Sequence, residues 1–134
     1  MEKILIEPLN KAFSCLIEGM KEFEQTHNDL IRDGCIQRFE YTYELANKFI
    51  GRFLVGHFNI NNDNSLTHNQ VLREAAKCGL VSDVELWFEF KKARNNTTHT
   101  YDEDNANKVI EVVPYFINEV KFLIKRFKAI IESD

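Results

Sequence analysis

Hydrophobic positions recur every three or four residues along most of the chain, a period that predicts helices rather than strands. From about residue 3 to residue 26, Leu9, Ala12, Phe13, Leu16, Ile17, Met20 and Phe23 form one apolar stripe, the inner face of a first long helix. The polar run THNDLIRDG at 26–34 is expected to interrupt it. Ile36, Phe39, Tyr43, Ala46, Phe49, Ile50 and Phe53 then repeat the spacing on a second helix, ended by Gly56 and the asparagine cluster of VGHFNINNDN.

Beyond that cluster the polar residues punctuate the pattern in a way that places helix ends. In THNQVLREAAKCGL, Thr67 with Gln70 three residues later has the form of a capping box, and Gly79 closes a short helix of about three turns. Ser82 with Glu85 repeats the box. It predicts a helix that carries Leu86, Trp87, Phe90 and Ala93 inward and leaves Arg94 on or near the same stripe. Asn95, Asn96, Thr97 and Thr98 are weak helix formers, so fraying is expected after Arg94. Thr100 with Glu103 makes a third box, and Asp102 and Asp104 add negative charge where a helix dipole favours it, so the last helix should begin near Tyr101. Val109, Val113, Phe116, Val120, Leu123, Phe127 and Ile130 line one face of that helix, with a kink expected at Pro114.

Four long helices and a short one, joined by modest loops, predict an all-α fold: an antiparallel up-and-down four-helix bundle filling one domain, residues 1–134. Composition agrees, since 44% hydrophobic residues with 11 Phe suffice for one core, while 5 Gly and 2 Pro leave little material for turns. The three cysteines are odd in number and far apart, and read as reduced fillers. Met1 is followed by acidic and apolar residues rather than a basic segment, and no apolar run approaches a membrane span. A soluble, cytoplasmic protein without a membrane partner is expected.

A net charge of −4 argues against coating nucleic acid by bulk electrostatics, so any RNA contact has to be local. Local surpluses stand at Lys91, Lys92 and Arg94, and at Lys121, Lys125, Arg126 and Lys128; the second reads as the cation-rich last turns of a helix. His27, His57, His68 and His99 show neither an i, i+4 pair nor a carboxylate triad, so no metal and no cofactor is expected.

The candidate chemistry lies in KKARNNTTHTYDED at 91–104. Histidine exchanges protons near neutral pH, and arginine presents forked donors to phosphate. Five residues along a straight helix rotate by about 140°, so Arg94 and His99 would splay apart unless the junction frays or bends. The same residues also admit a structural reading. Arg94 would pair with Glu40 or Glu44, the Asn and Thr side chains would cap, His99 would satisfy a backbone carbonyl, and Tyr101 would pack with a wet hydroxyl. Tyr41 is expected to be partly exposed, on a dimer or partner surface.

The arrangement RNNTTHTY at 94–101 resembles the signature of the HEPN superfamily as seen in its HepT-type toxins. More closely, QRFEYTYELANKFI at 37–50 and VLREAAKCGLVSDVELWFEFKKARNNTTHTYDED at 71–104 resemble, in the same order, the nucleotidyltransferase substrate-binding proteins. The likeness spans nearly the whole chain. It departs at Asn47, where the pattern often carries Trp, and at Ala93, where an acidic residue is common.

The resemblance implies a homodimer partnered by a minimal nucleotidyltransferase encoded nearby. This chain itself lacks the Gly-Ser turn and spaced aspartates of such an enzyme. In the toxin form of the family, Arg94 and His99 of two subunits would face each other and cut RNA without a metal. His99 would be the acid/base, Arg94 would hold the charged phosphorane, Asn95 would position, and Tyr101 would receive AMP from the partner and so silence the site. The alternatives are a binding subunit that presents a substrate to the nucleotidyltransferase, and a purely structural bundle.

Overall fold

The computed structural model describes residues 4–60 and 66–133. Its helices are α1 (Glu7–Thr26), α2 (Asp29–Gly56), α3 (His68–Lys77), α4 (Val84–Asn96) and α5 (Glu103–Ser133), with a single 3-10 turn, Thr97–His99, between the last two. The expected all-α bundle is present, four long helices with α3 as the short addition. Asn61, Asn62 and Asn64 of the asparagine cluster lie outside the described residues.

The first helix starts at Glu7, later than its stripe suggested, because Pro8 fits the first turn, where no backbone donor is needed. The predicted interruption at 26–34 shrinks to His27 and Asn28. His27 takes a left-handed conformation (φ 52°) and its N–H closes on the Phe23 carbonyl at 2.7 Å. Asn28 Oδ1 then accepts from the N–H groups of Leu30 (2.8 Å) and Ile31 (3.2 Å), starting α2 at once. So short a linker makes α1 and α2 an antiparallel hairpin.

Directions of the remaining helices follow from which ends meet. Arg32 near the start of α2 binds Glu103 at the start of α5, and Phe53 near the end of α2 stacks on Phe127 at 4.1 Å, so these two run parallel. Helix α4 returns between them: Trp87 packs against Phe116, while Arg94 at its far end reaches Glu44. The order is therefore up-down-up-down, as predicted. Phe39, Phe90 and Phe116 meet edge to face at the centre (4.9 and 5.2 Å) and are completely buried with Trp87, Phe49, Phe53 and Phe127.

Of the three predicted capping boxes one forms. Thr67 Oγ1 accepts from the Gln70 N–H and Gln70 Oε1 from the Thr67 N–H, and Gly79 follows at φ 79°, which only glycine takes without strain. At α4 the cap is Asp83, whose carboxylate accepts from Leu86 N–H at 3.2 Å. Ser82 instead donates its hydroxyl to Glu119 of α5 (2.9 Å), a carboxylate that also accepts from the Trp87 indole at 3.3 Å. At α5 the cap is Asp102, accepting from the N–H groups of Asp104 and Asn105, because Thr100 Oγ1 is spent on the Thr97 carbonyl. Helix α5 runs on through Pro114, which stands on its exposed side. It ends at Ser133 with no basic residue in its last turn, so Lys121, Lys125 and Lys128 are not the dipole-favoured cations that the sequence indicated.

Candidate functional site

The expected fraying after Arg94 does not occur. Helix α4 continues through Asn96 and tightens into the 3-10 turn, held by a relay of hydroxyls. Thr97 Oγ1 donates to the Arg94 carbonyl (2.7 Å), Thr98 Oγ1 to that of Asn95 (3.3 Å), and Thr100 Oγ1 to that of Thr97 (3.2 Å). Such local side-chain bonds are why Thr-rich runs close helices.

A continuous α-to-3-10 path turns roughly 180° between Arg94 and His99. The two side chains therefore diverge within one protomer. Arg94 points inward onto α2, where its Nη2 donates to Glu44 Oε1 at 2.6 Å and its Nε to the same oxygen at 3.2 Å. Its Nη1 lies 3.4 Å from Thr97 Oγ1 and 3.9 Å from Glu40. The Glu44 hydrogen bond raises the guanidinium's already high pKa and outweighs the opposing desolvation. This is the Glu40/Glu44 pairing weighed from the sequence.

His99 does the opposite. Its backbone carbonyl is the acceptor, from the Asp102 N–H (3.1 Å) and the Asn105 amide (3.4 Å), so the main chain is fixed. The imidazole is exposed and forms no hydrogen bond among the described residues; its ring lies edge to face with Tyr101 at 6.1 Å between centroids. The expected bond from His99 to a backbone carbonyl is not made. Tyr101 is 86% exposed, and Asn95 is also open to solvent. The junction thus offers three outward polar groups on a rigid backbone beside one cation held by carboxylates.

Two neighbouring features escaped the sequence reading. Tyr43 Oη lies 3.0 Å from His68 Nε2, a bond that joins α2 to the first residue of α3 one position from Glu44. Burial pushes the Tyr43 hydroxyl up to about 12 and lowers the pKa of His68. Only the fold reveals that pair. Arg32, by contrast, left a signal: it continues the stripe of Cys35, Ile36 and Phe39 as a charge on a buried face. Its guanidinium, 5% exposed, bridges Asp33 (3.1 Å), Asp29 (3.5 Å) and Glu103, and so ties the start of α2 to the start of α5 directly after Tyr101.

The family profile described as "Nucleotidyltransferase substrate binding protein like" matches residues 5–129. The chain belongs to this family. A Haemophilus influenzae relative named "Probable ribonuclease HepT" is 34% identical over 137 residues, spanning 95% of this chain and 94% of the relative. Among solved structures, HI0074 of Haemophilus influenzae superposes with a TM-score of 0.85 at 28% identity, over 92% of this chain and 99% of that one. That structure is described as revealing the fold of a substrate binding domain of a nucleotidyltransferase. A Thermus thermophilus protein superposes with a TM-score of 0.74 at 26% identity, over 88% of this chain and 97% of that one. Among the described residues of this family member, no helix is long and apolar enough to cross a membrane.

Proposed function

We propose that this member of the substrate binding protein like family is the toxin-type half of a pair with a minimal nucleotidyltransferase: a metal-independent endoribonuclease completed between two copies of the chain. The observation that carries the reading is the His99 imidazole, exposed and without a hydrogen-bond partner among the described residues, on a 3-10 turn whose backbone is pinned on both sides. A histidine kept only for packing would be buried or bonded. The name of the Haemophilus relative supports the same chemistry.

Because Arg94 and His99 diverge within one protomer, each needs a second copy to supply its complement. In the composite site His99 takes the proton of a ribose 2′-hydroxyl as that oxygen attacks the adjacent phosphorus. The 5′-oxygen leaves with a proton taken from water, and the His99 imidazolium returns its own proton to solvent, giving a 2′,3′-cyclic phosphate and a 5′-hydroxyl. Arg94 swaps Glu44 for the non-bridging oxygens, and Asn95 positions the phosphate. Silencing follows when Tyr101 Oη attacks the α-phosphorus of ATP in the partner's site and pyrophosphate leaves. The AMP then adds bulk and negative charge beside His99.

Cleavage of a labelled RNA in excess chelator tests this. Wild-type protein should cut and His99→Ala should lose about 100-fold or more, with little change in melting temperature because the side chain is exposed and bonds to nothing among the described residues. Intact RNA with wild-type protein, or equal cutting by both, would overturn the nuclease. A second reading, a non-catalytic subunit that presents a substrate, draws on the double hydrogen bond from Arg94 to Glu44 and on the description of HI0074. Incubation with the neighbouring nucleotidyltransferase, ATP and magnesium separates the two. AMP on Tyr101 supports the toxin; a stable complex without adduct supports the presenting subunit.

A further inference from the structure

Helix α1 packs along α2 and leaves its other flank open, so a groove of about 700 Å³ runs between α1 and the second half of α5. Phe13 of α1 with Ile124 and Ala129 of α5 make the floor apolar. Lys121, Lys125 and Lys128 stand along one wall, spaced four and three residues apart, so they form a single cationic row about 10 Å long. All three are exposed, and among the described residues none lies in an ion pair. Arg126 is not part of the row, since its Nε donates to the Gly79 carbonyl at 3.1 Å and closes the end of α3.

Nothing within the bundle accounts for this row. It lies short of the last turn of α5, and among the described residues it makes no ion pair even with Glu132, which stands four residues beyond Lys128 at the end of the groove, in a chain whose net charge is −4. An apolar floor beside a row of cations is the complement of one helix type: an apolar stripe bordered by carboxylates. Single-stranded RNA would match the cations, but it gains from stacked aromatic platforms, and here the floor holds one aromatic ring among aliphatic side chains.

We propose that the α1–α5 groove seats an acidic amphipathic helix of the nucleotidyltransferase partner. This rests on the partnership proposed above and adds where the partner is held. Lys121 lies 18 residues from Glu103 along α5, about 27 Å at the helical rise and close to the diameter of a small domain. A compact enzyme anchored at the groove is therefore long enough to reach Tyr101 at the other end.

The test is the affinity of the purified chain for its co-encoded nucleotidyltransferase, measured by calorimetry at low and at high salt. Lys121→Glu/Lys125→Glu/Lys128→Glu should raise Kd about 10-fold or more and flatten its salt dependence. Ala129→Trp, which fills the floor without changing charge, should weaken binding at both salt concentrations. Both variants alter exposed positions, and circular dichroism verifies their fold. A wild-type complex whose Kd neither variant changes overturns the groove while leaving the partnership intact. Separate elution of the wild-type proteins overturns the partnership and the groove with it. If the charge reversals abolish binding of a 20-nucleotide single-stranded RNA and spare the protein complex, the groove is an RNA site and the proposal is overturned.

Discussion

Arg94 sits between two anionic claimants: Glu44, already bonded at 2.6 Å, and the phosphate that the proposed chemistry requires. A half-exposed ion pair of this kind contributes about 0.5–1 kcal/mol. Arg94→Ala should therefore cost little stability while abolishing cleavage. Glu44→Gln keeps the shape, weakens the competitor and should raise RNA affinity several-fold in a binding titration; unchanged affinity would argue that Arg94 never leaves Glu44. His68 offers a pH readout of the fold. Burial holds its pKa below 6.5, so as pH falls through 6.5 the unfolded chain takes up the proton first and stability declines, levelling off below the folded pKa. The melting temperature of wild-type protein should show that decline, and His68→Gln should lack it. At the other extreme, the raised Tyr43 pKa predicts stability lost as pH rises from 10 toward about 12.

Helix ends show why element boundaries were only partly legible. The Thr67 box could be read from two residues because both partners are local. Ser82 and Thr100 also had the right neighbours, yet lost the capping role to Asp83 and Asp102, Ser82 because Glu119 of a distant helix claims its hydroxyl and Thr100 because it bonds back to Thr97. A local motif names candidates, and competition in space or along the turn chooses among them. Arg32 extends this to two elements, since it holds the starts of α2 and α5 together through carboxylates that are themselves mostly solvated. Arg32→Ala should cost about 2–3 kcal/mol, from lost charged hydrogen bonds and lost packing of the aliphatic stem. Glu103→Gln should cost less than about 1 kcal/mol, because Asp29 and Asp33 remain. Equal losses in urea unfolding would contradict this division.

On the scale of the whole molecule, the decisive feature is that the junction turns Arg94 inward and His99 outward. One chain alone cannot bring them onto one phosphate by this path, so the proposed nuclease must be an assembly. Mixing inactive Arg94→Ala and His99→Ala chains should restore measurable cleavage through hybrid dimers. Activity no greater than that of either variant alone would count against a composite site. The proposed partner docking belongs to this scale too, since the groove and Tyr101 lie toward opposite ends of α5 and the partner has to span about 27 Å between them.

Periodicity by itself determined the helices, their inward faces and the up-and-down order, because burial of a stripe every three to four residues depends on the chain alone and short linkers force antiparallel neighbours. The RNNTTHTY segment likewise marked the junction as the place to look. Tertiary structure alone decided that Ser82 yields the α4 cap to Asp83 and that Arg94 is held by Glu44. It also decided that a tightened turn sends His99 to solvent, and that three lysines flank a groove instead of ending a helix. Each of these depends on partners far apart in sequence or on a backbone rotation that residue types do not specify.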